Sequence, residues 1–317
     1  MPGTGRCGQA RIGMSLVEVL VSLSVVGMLL ALVIPAVQQS RSVACRVDCA
    51  NRLRQVGLAA QNYESTHRYF PGATDPLKQL WPYLDVPEST DLLQLESVVI
   101  PGFVCPADGT SDRYQGRYPS YFLNGGTGVQ SQGWDGFIKS TRLPSQRGPS
   151  MVVELFGWVR AAEVTDGLSN TAAFSERTVS SVHHDGSTTG DSILARRASV
   201  AFVIPELWQV DQLDEFADRC QNHPIWDTSS ATNFNTDARG KQWYNHVLPP
   251  NRNSCLNGGP YDYRSFLHGA VTVNSYHEGV VNCVFGDGSL RQISESIDRV
   301  AWRASGSRDG GESNGAF

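Results

Sequence analysis

The sequence has few charged residues and no excess of basic ones. Charged side chains make up 18% of the 317 residues, and 26 lysines and arginines stand against 31 aspartates and glutamates, a net charge of −5. Nucleic-acid binding requires concentrated basic charge, so a nucleic-acid partner is not expected. Glycine (31 residues) and proline (16 residues) are plentiful. This composition favours a turn-rich, mostly β exported domain over a helical cytosolic enzyme.

None of the seven cysteines belongs to a Cys-X-X-Cys pair, which weakens a zinc-ribbon or thioredoxin-like interpretation. Cys45 and Cys49 lie one helical turn apart, so a bond between them would brace little. Each is better placed to form a disulfide with the globular head that follows the helix. Cys220 and Cys255 flank a loop-rich segment with little apolar periodicity. We hypothesise a disulfide between these two, as an oxidising compartment would allow. Cys283 lies in an apolar run and is expected to be a free core cysteine.

A long apolar stretch covers residues 13–37. At ~1.5 Å per residue, a helix of this length crosses the hydrocarbon core of a bilayer. Arg6 and Arg11 precede the stretch without any acidic residue, which favours a cytoplasmic N-terminus. Glu18 lies near the start of the stretch. Because a lone carboxylate inside a membrane is costly, we interpret Glu18 as a functional residue.

The segment from Gly13 through Met14 to Glu18 resembles the cleavage and methylation motif of type IV pilins and type II secretion pseudopilins. The resemblance implies that a prepilin peptidase cuts after Gly13 and methylates Met14, so that Glu18 becomes the fifth mature residue. Pro35 then takes the position of the proline that often kinks pilin helices. The usual residue after the glycine is phenylalanine, and Met14 departs from that pattern.

The role implied for Glu18 is electrostatic. In a growing filament its carboxylate can meet the positive N-terminal amine of a neighbouring subunit, so that two buried charges compensate each other. The alternative is a plain signal anchor that contains an incidental glutamate.

Residues 38–69 are predicted to continue the helix as an amphipathic half. Apolar residues recur there at steps of three and four, so one face should pack on a globular head while the other stays in water. Phe70, Pro71 and Gly72 are expected to end the helix. The apolar positions are Val43, Val47, Ala50, Leu53, Val56, Ala60 and Tyr63.

Further segments, in this order along the chain, resemble a large bacterial pilin-like family of unknown function with a glycine-rich head. The last of them is His277 followed by nine residues and Asp287-Gly288, which matches the H-X9-DG motif that this family associates with processing. The other segments are residues 49–59, 70–72, 103–108, 164–171 with Glu176, and 245–251.

The resemblance implies an α+β, pilin-like fold in which the long N-terminal helix packs on an antiparallel β-sheet head with long loops. We expect a short polar C-terminal segment to be flexible. The expected divisions are a leader (1–13), a transmembrane helix half (14–37), an amphipathic helix half (38–69), a globular head (70–303) with a loop-rich insertion near 178–255, and a flexible tail (304–317).

The two aspartates of these motifs are interpreted as turn residues. Asp287 and Gly288 belong to a predicted β-hairpin turn, in which glycine supplies a positive φ. His277 and Asp287 would lie near opposite ends of one strand, so a catalytic pair is not expected. Asp166-Gly167 similarly forms a turn that leads into a strand ending at Glu176.

No metal or other cofactor is expected. Asp108, Ser111 and Asp112 carry oxygen ligands suited to Ca²⁺, and a Ca²⁺ site is the alternative there. They lack the acidic density of an EF-hand, so we interpret them as a solvated turn. Residues 183–185 (His-His-Asp) are also metal-ligand types, but they lie in a Ser/Thr/Gly-rich stretch and are interpreted as solvated.

The expected function is structural and not enzymatic. The chain is predicted to be a single-pass inner-membrane protein with a cytoplasmic N-terminus and a periplasmic or cell-surface head. Its expected partners are prepilin peptidase and other pilin-like subunits or copies of itself, in a pilus-like or type II secretion filament.

Two alternatives belong to other functional classes. One is an envelope-anchored module that binds carbohydrate or another surface component through exposed tryptophan and tyrosine side chains. The other is a membrane-tethered hydrolase, which would need Asp166 and either His277 or His246 in one pocket with a nucleophile such as Ser169. The segment around Ser169 has no Gly-X-Ser-X-Gly elbow.

Overall fold

The computed structural model divides into two compact units, Met1–Ala44 and Cys45–Phe317. Gly13 and Met14, the expected processing residues, lie outside the described part of the chain, as do residues 108–118 and 179–199 with both candidate metal-ligand segments. The residues described are 15–72, 76–84, 101–107, 119–129, 134–144, 152–178, 200–204, 210–222, 243–257 and 269–311.

The described residues of the first unit form the beginning of a 52-residue helix, α1 (Leu16–His67). An 18-residue window of α1 has a mean hydropathy of 2.6, so the helix is long and apolar enough to cross a membrane. The Ser22 and Ser24 hydroxyls donate to the carbonyls of Val19 and Val21, which satisfies these hydroxyls within the helix. Glu18 lies in the first turn and Pro35 lies inside the helix.

In the second unit, one face of α1 is part of the core of the head. The last four predicted apolar positions are buried, whereas Val47 is exposed and Cys49 is the first buried residue of the helix. Gly57 allows close approach to the sheet, since a Cβ there would lie 2.5 Å from Val284 Cγ1. The helix ends at His67, because Arg68 adopts a left-handed φ of +65° that cannot continue a right-handed helix.

A five-stranded sheet packs against this helix face, and the α+β class is confirmed. Its strands, in spatial order, are β10 (Leu290–Ser294), β9 (Val280–Phe285), β4 (Ala172–Glu176), β1 (Tyr121–Asn124) and β6 (Trp243–Tyr244). The first three pairings are antiparallel, as predicted. The β1–β6 pairing is parallel, which differs from the expected antiparallel sheet. β6 is a two-residue edge strand that no hairpin connects to β1, so no tight turn imposes an antiparallel direction.

Two smaller sheets and three short helices complete the described head. β2 (Lys139–Pro144) and β3 (Val152–Gly157) pair antiparallel. β5 (Val200–Ile204) pairs parallel with β7 (Ser254–Asn257), which pairs antiparallel with β8 (Gly269–Ala270). The short helices are α2 (Pro76–Gln79), α3 (Leu213–Gln221) and α4 (Arg299–Ala304).

The expectation of a flexible tail from residue 304 is wrong for its first half. Ser305 and Ser307 are buried, and a Cβ on Gly306 would lie 2.4 Å from Cγ of His246. This glycine- and serine-rich segment is packed into the head because its backbone carbonyls accept hydrogen bonds there. The carbonyl of Ser305 accepts from the backbone of Ala172, and that of Gly306 accepts from the Asn124 side chain. Residues 312–317 lie outside the described part of the chain.

Candidate functional site

Four side chains with metal-ligand or redox chemistry converge in the head. They are Cys49 of α1, Cys105, Glu176 at the end of β4, and His277 in the loop before β9; we call them the buried cluster. Their ligand atoms all lie within 4.8 Å of one another, and all four residues are buried. The cluster combines residues that lie more than 200 positions apart in the sequence.

The carboxylate of Glu176 is held on both of its oxygens. The backbone N–H of Asn282 donates to Oε2 over 3.0 Å, and the Asn282 side-chain amide donates to Oε1 over 2.8 Å. Glu176 is the last residue of β4, and Asn282 lies in the neighbouring strand β9, so the sheet itself sets this geometry. Burial raises the pKa of the Glu176 carboxyl.

The His277 side chain contacts Glu176 and Cys105 and is not paired with Asp287. Its Nε2 lies 3.7 Å from Glu176 Oε1 and 3.7 Å from Cys105 Sγ. Burial, together with the positive charge of Arg46, lowers the pKa of His277 to about 4, so the imidazole is neutral at pH 7. Asp287 instead accepts a hydrogen bond from the Ser289 backbone, and Gly288 follows with a φ of +81°. The histidine of the H-X9-DG segment therefore belongs to the buried cluster, whereas its aspartate and glycine form the turn between β9 and β10.

Within the cluster, a disulfide joins Cys49 of α1 to Cys105 of the head, with the two Cα atoms 4.9 Å apart. The sequence indicated that Cys49 bonds to the head but did not identify Cys105 as its partner. Cys220 and Cys255, the pair named from the sequence, are also joined, with Cα atoms 5.8 Å apart. Among the described cysteines, Cys45 is free, so the expectation that it also bonds to the head is wrong. The buried Cys283 is free, as expected.

A small cleft, with room for about one water molecule, borders the cluster. Arg177, directly after Glu176, lines it and is fully buried, with its guanidinium 5.4 Å from the centre of the Phe122 ring. Burial lowers the pKa of Arg177 to about 10, so the side chain still carries its charge at pH 7. Cys105 and Glu176 line the same cleft, so two of the four cluster residues border it.

Asp166 and Gly167 form the expected turn, and Asp166 also has a partner that the sequence did not indicate. Its carboxylate accepts hydrogen bonds from the Ser307 hydroxyl (3.0 Å) and from the backbone N–H groups of Gly310 (2.8 Å) and Gly311 (2.9 Å). Gly167 adopts a φ of +96°, which favours glycine at this turn. Asp166 thereby holds the C-terminal segment against the head.

Replacing Asp166 with alanine is expected to lower the free energy of unfolding by about 2 kcal/mol, because charge-assisted hydrogen bonds to three donors are lost together. Chemical denaturation of the detergent-solubilised chain measures this. Amide hydrogen exchange at Gly310 and Gly311 should accelerate in the variant. The control is Asp309→Ala in the same segment, where only a partly exposed ion pair with Arg308 is removed and a change below about 0.5 kcal/mol is expected. Equal effects of the two substitutions would contradict the assigned role.

The side chains required for a hydrolase are not brought together. Asp166 binds the C-terminal segment, whereas His277 contacts Glu176 and Cys105. His246 is fully buried elsewhere, stacked on Trp302 with ring centres 3.8 Å apart. Each of the three residues thus has its own surroundings, and the described residues contain no arrangement that joins Asp166 to either histidine.

An aromatic surface lies where α1 ends, formed by His67, Tyr69, Tyr83 and Trp158 and supported from below by the buried Tyr63. Tyr63 stacks on His67 with ring centres 4.1 Å apart, and Tyr69 contacts Trp158 at 5.2 Å. Trp158 remains 53% exposed in this arrangement. A half-exposed tryptophan supported by a second ring is suited to contact with a flat apolar face of a ligand.

Comparison with known proteins identified one family. The model of a family described as protein of unknown function (DUF1559) matches residues 38–82 and 75–300, which together make up most of the chain. No curated protein and no solved structure matches the chain.

Proposed function

The chain belongs to the DUF1559 family, which is known as pilin-like, and from this premise we propose that it is a non-enzymatic, pseudopilin-like subunit anchored in the inner membrane. The observation that carries the proposal is α1 itself, a continuous helix whose first part is apolar and exposed and whose last part belongs to the core of a head. A helix of this kind combines a membrane anchor with a rigid attachment for a globular domain.

The orientation and processing follow from residues at the N-terminus. Arg6 and Arg11, which precede the apolar stretch, support a cytoplasmic N-terminus with the head in the periplasm or at the cell surface. Prepilin peptidase would cut after Gly13 and methylate Met14. The released chain would then enter a pilus-like or type II secretion filament with pilin-like subunits or copies of itself, and Glu18 would pair with the amine of a neighbouring subunit.

Mass spectrometry of the intact, detergent-solubilised chain tests the processing step. In cells that contain prepilin peptidase, the mature protein should begin at a methylated Met14, whereas cells without the peptidase should yield the chain from Met1. Gly13→Val should block cleavage, because the peptidase site would no longer accept the residue before the cut. Gly8→Val, a control in the same leader, should be processed normally.

Two results would overturn the proposal. An intact Met1 terminus in both cell types would remove the prepilin interpretation. A cut after the apolar stretch would identify it as a secretory signal sequence. Chemical cross-linking of the same preparations examines assembly: Glu18→Gln should be cleaved normally but yield fewer cross-linked oligomers than the unaltered chain.

The aromatic surface supports a second candidate, binding of envelope carbohydrate by the anchored head. Sugar rings present flat apolar faces, and the exposed indole of Trp158 is backed by Tyr69 at 5.2 Å. Trp158→Ala should weaken sedimentation of the chain with cell-envelope polysaccharide about tenfold, since one aromatic contact contributes roughly 1.4 kcal/mol. Leu58→Ala, which removes a side chain of similar exposure from α1, should leave binding unchanged. Equal binding by all three chains would exclude this candidate.

A further inference from the structure

We propose that the chain with its Cys49–Cys105 disulfide reduced binds one zinc-type divalent cation through the buried cluster of Cys49, Cys105, Glu176 and His277. Two thiolates, one imidazole and one carboxylate are a donor set that zinc accepts in proteins. The disulfide form has no thiolate to offer, so the cation and the disulfide would be alternative occupants of one site.

The observed spacing suits a tetrahedral ion. With Zn–S bonds of about 2.3 Å and Zn–N or Zn–O bonds of about 2.0–2.2 Å, the donor atoms of a tetrahedral site lie roughly 3.4–3.8 Å apart. Nε2 of His277 lies 3.7 Å from both Glu176 Oε1 and Cys105 Sγ. Two edges of the tetrahedron therefore already have the required length. Once the Cys49–Cys105 bond is reduced, the two sulfur atoms are free to separate to the roughly 3.8 Å of a tetrahedral site.

Surrounding residues orient the ligands. Asn282 holds both oxygens of Glu176, and the backbone N–H of His277 donates to the Ser275 hydroxyl over 3.1 Å. The two contacts of Asn282 pre-position the carboxylate, and hydrogen bonds that orient a metal ligand commonly strengthen metal binding roughly 10–100-fold. The contact with Ser275 fixes the backbone of His277. Cys105 has a similar support, since its backbone N–H donates to Ser120 Oγ over 3.0 Å.

The local charges favour the metal-bound form. Two thiolates and one carboxylate bring three negative charges to a divalent ion, which leaves one negative charge in excess. Arg46 acts electrostatically on both Glu176 and His277, and the buried Arg177 lines the adjacent cleft. The two guanidinium groups offset the excess charge, Arg177 from a fully buried position and Arg46 from a half-buried one.

The exchange between the two forms is balanced in atoms and electrons. A dithiol reductant supplies two electrons and two protons, breaks the Cys49–Cys105 bond and is itself converted to a disulfide. Binding of the cation then releases the two thiol protons to water as the thiolates form bonds to the metal. Cys105 and Glu176 line the small cleft beside the site, whereas Cys49 and His277 are buried away from it. Either form ties α1 to the head.

Cobalt(II) is the probe, because its absorption reports both the ligands and the geometry. The full chain, solubilised in detergent, is reduced and kept free of oxygen. It should then bind one equivalent of Co²⁺ with thiolate-to-metal charge-transfer absorption and the intense visible bands of a tetrahedral ion, and Zn²⁺ should displace it. The oxidised chain should show neither signal. Absence of the thiolate signal from the reduced chain would overturn the proposal.

Variants locate the site. Glu176→Gln and His277→Gln should each weaken Co²⁺ binding at least tenfold, whereas the double variant Cys220→Ser with Cys255→Ser should bind as the unaltered chain does. The single variant Cys45→Ser, one turn before Cys49, should also bind normally. Loss of the signal in either of these cysteine controls would place the metal elsewhere and contradict the assignment.

A measurement on the unaltered reduced chain keeps the test decisive if Glu176 or His277 variants do not fold. Zn²⁺ should slow alkylation of Cys49 and Cys105 at least tenfold, as read by peptide mass spectrometry. It should leave Cys220 and Cys255 as reactive as in the metal-free reduced chain. Equal protection of both pairs, or none of either, would overturn the proposal.

Discussion

Replacement of Cys49 and Cys105 together by alanine is expected to lower the free energy of unfolding by about 4 kcal/mol under oxidising conditions. The two residues are 56 positions apart, and breaking their bond releases a long loop in the unfolded chain. The bond also joins α1 to the head at the first buried residue of the helix. Denaturant unfolding followed by tryptophan fluorescence measures the difference.

The matched control is Cys45→Ala, which changes a free cysteine on the same helix. We expect a change within about 0.5 kcal/mol for this substitution, because Cys45 is only partly buried and has no disulfide partner. If the double variant were as stable as the Cys45 control, the Cys49–Cys105 bond would not contribute to the stability of the head. Removal of both cysteines also avoids leaving a single buried thiol in the core.

The second large effect is a loss of stability in acid caused by His246. Its Nδ1 donates to the carbonyl oxygen of Trp302 over 2.8 Å, while Nε2 is buried with no hydrogen-bond partner among the described residues. Burial lowers the pKa of His246 from 6.5 to about 3. A proton on Nε2 would place an unpaired charge in the core against the Trp302 ring.

The sign of the effect follows from proton binding. Between pH 6.5 and about 3 the unfolded chain binds a proton at His246 that the folded chain does not, so stability falls as the pH falls. We expect His246 to account for a loss of about 2 kcal/mol between pH 7 and pH 5, and about 4 kcal/mol by pH 3. Above pH 6.5 the contribution is fully present.

His246→Asn isolates this contribution. The asparagine amide can replace Nδ1 as the donor to the Trp302 carbonyl but does not titrate in this range. Unfolding free energies of the two chains at several pH values are compared, and the difference between their pH slopes reports His246 alone. His277 and the carboxylates are present in both chains, so their shared contributions cancel. Parallel pH profiles would show that His246 does not couple folding to acid.

Elements with local signals could be predicted from the sequence. The apolar stretch and the three- and four-residue periodicity predicted one long helix, and α1 runs from Leu16 to His67. The hairpin of β9 and β10 also lies where the apolar run of residues 280–285 and the turn at Gly286-Asp287-Gly288 predicted it. Such signals are readable because backbone geometry repeats every 3.6 residues in a helix and every two in a strand.

The buried cluster could not be predicted in this way. Glu176 and His277 were each assigned to family motifs, and Cys49 was expected to bond to the head, but nothing local connects these residues to Cys105. Their meeting depends on the order of strands in the sheet and on the register of β4 against β9, where Ser175 lies opposite Cys283. The interaction of Asp166 with residues 307–311 is of the same kind, which is why the C-terminal segment was expected to be flexible.

The sequence by itself determined the family, the long helix with its apolar first half, and the α+β class, because each depends on ordered motifs or on short-range periodicity. The tertiary structure alone decided the partner of Cys49, the surroundings of His277 and the burial of Ser305 and Ser307. Contacts between residues fifty or more positions apart leave almost no local signal in a single sequence. They arise from how the whole chain buries its apolar surface while satisfying its polar groups.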